Sequence, residues 1–193
     1  MAINGAWGTG KTEFAKKTVY LINQEHNDNC IAEYFDAFVE DYYDDPLTSL
    51  LAKLYQTFPN GEAKTKSLAT FTKVISATVG PKILKLVCPP LGEAAEATLN
   101  VWNKLKEESI QENFENRVKI ESYLQKLKDT ITQIADGKTF VLFIDELDRC
   151  RPNYALHLLE VVKHVFDIPN LKIIFVINEG QLVEIVKRNY GDN

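Results

Sequence analysis

Near its start the chain reads INGAWGTGKTEF, with Gly5, Gly8 and Gly10 followed at once by Lys11 and Thr12. Glycine loses more backbone freedom on folding than any other residue, so three of them in one loop require a compensating purpose. Gly5, Gly10, Lys11 and Thr12 fit the spacing G-x-x-x-x-G-K-S/T, with Ala6, Trp7, Gly8 and Thr9 filling the loop. A loop that follows a strand and opens a helix presents unpaired N–H groups and the positive end of the helix dipole, a natural seat for an anion. Glycines let those amides approach phosphate closely and reach backbone angles closed to other residues. The pattern predicts a nucleotide-binding loop from Gly5 through Glu13. Lys11 is expected at the β and γ phosphates, where it also assists catalysis, and the Thr12 hydroxyl on Mg²⁺. Trp7 either touches the nucleotide or packs the loop against its neighbours.

Such a loop needs strands around it. Residues 1–4 read as a clipped strand, and a helix is expected from Lys11 to Glu25, with Phe14, Thr18 and Leu21 at helical spacing. NCIAEYFDAF reads as a second strand ending near Asp36, and Pro46 suits the first turn of a helix through LTSLLAKLYQTF. FVLFID and LKIIFVIN are continuous apolar runs of the kind covered on both faces, each followed by a helical pattern. Strands alternating with helices predict an α/β fold with a parallel sheet. Residues 60–137 differ in texture, holding only helical periods such as Leu68, Phe71, Ile75 and Val79. The expected organisation is a core in two parts, residues 1–59 and 138–193, interrupted by a helical insertion at 60–137. The insertion's apolar stripes serve either as core or as a partner surface.

A nucleotide site also needs an acid at the end of a neighbouring buried strand to hold the metal. Asp145 closes the apolar run at 140–144 and fills that role, with Thr12, as a magnesium ligand. Adjacent residues at a strand end diverge, so Glu146 is expected to face a water in line with the γ phosphate and to polarise it. That carboxylate favours hydrolysis over transfer to a substrate hydroxyl. Asn178 ends the run LKIIFVIN, where it serves catalysis by holding the attacking water or else caps the helix that follows.

Charge and composition exclude several other classes. A net charge of −5 gives no support to a dedicated nucleic-acid surface. Cys30, Cys88 and Cys150 are odd in number and lack metal spacing, and His26, His157 and His164 are not grouped with them; reduced thiols in a cytoplasmic setting are expected. The stretch 71–92 is apolar but interrupted by Lys73, Lys82, Lys85, Pro81, Pro89 and Pro90, so no transmembrane segment is expected. Nor is a signal peptide expected ahead of the first strand.

With these residues in view, the sequence resembles the KAP family of P-loop NTPases, which carry additional-strand, AAA+-like cores. GAWGTGKT resembles the family's G-x-W-G-x-G-K-S/T loop, FIDELDRCRP its segment with L-D-R-C after the acidic pair, and FVIN its third-strand segment. YFDAF resembles the strand end usually written F-N-A-W, with Asp36 in place of asparagine and Phe38 in place of tryptophan. The resemblance implies ATP as substrate, Mg²⁺ as cofactor, and nucleotide state coupled to rearrangement of partners or attached domains, in some relatives during phage exclusion. The expected fold is a three-layer core with parallel strands in the order 2-3-4-1, the family's fifth strand absent, and strand 1 an exposed edge open to self-association or a protein partner. Asp36 either joins the magnesium surroundings or stands exposed. Arg149, Arg151 and Arg188 are the candidates for a transition-state arginine, with Arg149 equally placed for an internal ion pair. The expected function is a Mg²⁺-dependent ATPase, slow as an isolated chain; the alternatives are a nucleotide-gated scaffold with little turnover and a P-loop phosphotransferase.

Overall fold

The apolar run that closes on Asp145 lies inside a parallel sheet. In the computed structural model it forms β3, Thr139–Asp145, in which every residue after Thr139 is buried. Residues 1–43, 45–57 and 137–190 are described, together with Gln125, Lys128, Asp129 and Thr132. On one side β3 pairs with β2, Cys30–Asp36, in a register that sets Asp36 opposite Asp145. On the other it pairs with β4, Leu171–Ile177, which in turn pairs with β1, Ala2–Asn4. Among the described residues the sheet has the order β1-β4-β3-β2, all parallel. Parallel neighbours require crossover connections. The described helices are α1, Lys11–Glu25; α2, Ala37–Glu40; α3, Pro46–Thr57; α4, Pro152–Val165; and α5, Glu179–Tyr190. Pro152 stands in the first turn of α4, where its missing N–H costs nothing.

The chain divides into two compact units, residues 1–47 with 135–193, and residues 48–134. Within the second unit, α3 contributes the buried Leu50, Ala52 and Leu54. Most of the expected insertion lies outside the described residues. Gln125, Lys128, Asp129 and Thr132 are helical, with Gln125 donating to Asp129 and Thr132 to the Lys128 carbonyl at i to i+4 spacing. No helix among the described residues is long and apolar enough to cross a membrane.

Helix α1 buries a face other than the one marked by Phe14 and Leu21. The helix has the bounds read from sequence, but Phe14 and Leu21 are 59% and 49% exposed. The buried stripe is Ala15, with Val19 and Ile22, packed on Ala32, Val141, Phe143 and Val176. It is displaced by one residue, about 100° around the helix. The small Ala15 lets the helix lie close to the sheet, and a phenylalanine at that face would force it away. Asn23 adds a second tie: its side-chain amide donates to the Ala32 carbonyl at 2.8 Å and accepts the Ala32 N–H at 2.9 Å. β2 ends the strand order, so its outward backbone groups need partners of this sort.

Arg151, one of the candidate arginines, is engaged elsewhere. Its backbone N–H and Nε donate to the two carboxylate oxygens of buried Asp41 at 2.7 and 2.8 Å, and its guanidinium also reaches the Asp41 carbonyl. The pair pins the start of α4 to the segment after α2. Arg151→Met leaves a buried carboxylate short of its donors and is expected to cost about 1–3 kcal/mol. Urea unfolding of the two chains measures this. Cys30 and Cys150 are free thiols, and burial pushes the Cys150 thiol well up from its ordinary value, so it stays protonated.

Candidate functional site

The loop after β1 begins as an extension of the sheet: the Gly5 N–H donates to the Ile177 carbonyl at 3.2 Å. It then turns away through Gly8 and Gly10, whose φ angles of 79° and 85° lie in the left-handed region. A Cβ added at either would meet nothing within 4 Å. Backbone angle, and not crowding by the protein, demands glycine there, and the space above the loop stays open to a ligand. Gly10 caps α1 without any side-chain hydrogen bond, and the first intrahelical bond runs from the Phe14 N–H to the Gly10 carbonyl. The amides of Lys11, Thr12 and Glu13 are thus left to an outside acceptor. Thr9 stiffens the loop by donating to the Ala6 carbonyl at 2.8 Å. Lys11 Nζ donates to the Gly5 and Ala6 carbonyls at 2.7 and 3.0 Å, which holds the ammonium over the loop.

Facing this loop are the residues that end β3. A cleft of about 230 Å³ is lined by residues 7–13 together with Asp145, Glu146, Asp148 and Arg149. Asp145 is buried; its Oδ2 accepts from the Tyr34 hydroxyl at 2.9 Å and its Oδ1 from the Glu146 N–H at 2.7 Å. Each oxygen retains a further lone pair, so the carboxylate is oriented and still able to ligate. Burial and the bond to Asp145 push the Tyr34 phenol up, keeping it a donor. Lys16 Nζ lies 4.9 Å from the centre of the Tyr34 ring.

Glu146 has φ 60° and ψ 20°, a left-handed conformation uncommon for a residue with a side chain. Strain of that kind gathers where a side chain must be aimed. Burial raises the Glu146 carboxyl from its ordinary value; Arg149 pulls it down, while Asp145, Asp148 and Asp36 push it up. Arg149 Nε meets Glu146 Oε2 at 2.5 Å. This ion pair is made within the cleft, which Arg149 also lines.

Other expected site residues lie differently. Asp36 sits level with Asp145 across β2 and β3, but its Oδ1 accepts the Val39 N–H at 3.1 Å and caps α2. It does not line the cleft. Asn178 follows β4, and its carbonyl accepts from Gln181 and Leu182 as α5 begins. Its side chain lies beside Gly180, and it too is outside the cleft lining. Two residues were not singled out in the sequence: Tyr34, and Asp148, whose Oδ2 accepts the Trp7 indole N–H at 2.8 Å and whose Oδ1 accepts the Asn178 N–H at 3.1 Å. The D-R-C run marks Asp148 as unusual in sequence, but its partners are the residue that follows β4 and the loop after β1, 30 and 141 positions away.

The donors present suit a magnesium-bound polyphosphate. Thr12 and Asp145 offer hard oxygens to one cleft, and Mg²⁺ is typically bound through one or two carboxylates and substrate phosphates while keeping several waters. Among the described residues no group of three or more His, Cys, Asp or Glu could hold a metal without such help. A comparison with curated proteins finds no match. The family model of the KAP family P-loop domain matches residues 1–193, and the chain belongs to that family, whose P-loop core binds nucleotide.

Proposed function

We propose that this chain binds ATP with Mg²⁺ and hydrolyses it slowly, the nucleotide state driving rearrangement of a partner or attached segment. The observation that carries the reading is one cleft shared by the glycine loop, Lys11, Thr12, Asp145 and Glu146. The triphosphate would lie along the amides of the loop, with Lys11 leaving one of its loop carbonyls for phosphate oxygen. Thr12 and Asp145 would hold the metal, which supplies neutralisation of phosphate charge when bound. The Glu146 carboxylate would accept a proton from water as the water oxygen bonds to the γ phosphorus and the bond to the β–γ bridging oxygen breaks, yielding ADP and phosphate. Burial brings Glu146 closer to the working pH of such a base.

Charge makes the metal a condition of binding. The cleft sets the cations Lys11 and Arg149 against the carboxylates of Glu13, Asp145, Glu146 and Asp148. A bare polyphosphate meets net repulsion there. Calorimetry of ATP with Mg²⁺, and of ATP in EDTA, tests the reading together with phosphate release. Binding is expected with Mg²⁺ and weakened by at least about tenfold without it. Absence of heat in both, or phosphate transfer only when an acceptor is added, would overturn it.

A further inference from the structure

We propose that Trp7 is a positioning residue that ties the phosphate loop to Glu146 by way of Arg149. The inference rests on the nucleotide reading above and assigns that site an internal coupling. Trp7 is 53% exposed, so burial does not explain a tryptophan in this loop. Its edge and one face are both occupied. The indole N–H donates to Asp148 Oδ2 at 2.8 Å, and the Arg149 guanidinium carbon lies 5.7 Å from the ring centre. The same guanidinium meets the Glu146 carboxylate at 2.5 Å.

The local fold explains why these groups converge. Leu147–Arg149 is a single tight helical turn, closed by the Arg149 N–H on the Glu146 carbonyl at 3.1 Å. Side chains three residues apart eclipse in such a turn, which stacks Arg149 beside Glu146. Asp148 is buried and anchored to the Asn178 N–H, so it grips the indole from the fixed end of the sheet. Arg149 has a side-chain exposure of 48%, and it is held by the Glu146 carboxylate at one edge and by the ring on one face. The indole shields one face of the guanidinium and leaves its N–H edge to the carboxylate. Trp7 precedes Gly8 directly, so a ligand that moves the loop moves the ring, and with it the arginine that holds the glutamate. Loop occupancy and carboxylate position are thereby linked through three side chains.

Proton–nitrogen NMR on the full chain, following the Trp7 indole N–H assigned with Trp7→Phe, tests the link without nucleotide. Glu146→Ala and Arg149→Met are each expected to move that resonance, although neither residue bonds to it, and Arg149→Lys is expected to move it less. In turnover, Trp7→Ala is expected to lower kcat by about 10–100-fold, the scale of a misplaced catalytic group. Trp7→Phe, which keeps a ring face, should recover part of that loss. The double variant Trp7→Ala with Arg149→Met should lose no more than the worse single change. An indole signal indifferent to Arg149→Met, or kcat losses that multiply, would overturn the proposal. Failure of the nucleotide reading would instead appear as no heat from ATP with Mg²⁺ in the unaltered chain.

Discussion

Glu146→Gln is expected to slow phosphate release by about 10²–10⁴-fold, the contribution typical of a positioned general base. The substitution keeps side-chain length, and the amide oxygen still accepts from Arg149, so the tight turn at Leu147–Arg149 should persist. What disappears is the proton acceptor. Because Glu146 lines the cleft without belonging to the phosphate loop, nucleotide affinity should change by no more than roughly threefold. Single-turnover hydrolysis and calorimetry on the two chains separate these quantities. Equal rates would remove Glu146 from the chemistry and leave a nucleotide-gated scaffold as the better account.

Lys11→Ala is expected to abolish stabilisation by nucleotide. A ligand at 100 times its Kd stabilises the folded chain by about 2.7 kcal/mol. For a domain of this size that raises the melting temperature by roughly 5–11 °C. Among the described residues Lys11 Nζ bonds only the carbonyls of Gly5 and Ala6, within its own loop. Its loss should therefore leave the melting temperature without nucleotide nearly unchanged, while the increment from ATP and Mg²⁺ vanishes. Thermal unfolding with and without nucleotide reads both numbers. An increment retained in Lys11→Ala would place the phosphates elsewhere.

The parts of this site legible in the sequence are those whose cause is local. A glycine loop between a strand and a helix needs only adjacent residues to be recognised, and an acid closing a buried apolar run marks the sheet's end at Asp145. The turn of α1 toward the sheet was harder to read. Phe14 and Leu21 are more apolar than Ala15, yet close packing on Ala32 and Val176 selects the small residue. Tyr34 and Asp148 were illegible for another reason. Their partners are fixed by strand register and by the return of β4 beside β1, connections that span more than a hundred residues: 111 for Tyr34 with Asp145 and 141 for Trp7 with Asp148. Asp36 illustrates the converse. Register brings it level with Asp145, but a cap on the next short helix claims its side chain.

The left-handed backbone at Glu146, φ 60°, carries an evolutionary consequence. A glycine there would relieve about 1 kcal/mol of backbone strain. Selection for heat tolerance alone would drift toward that simpler residue and away from an ionisable one. Persistence of a glutamate at this position across descendants would register demand for chemistry over durability, and its replacement by glycine would mark lineages that have kept the nucleotide as a mere ornament of assembly.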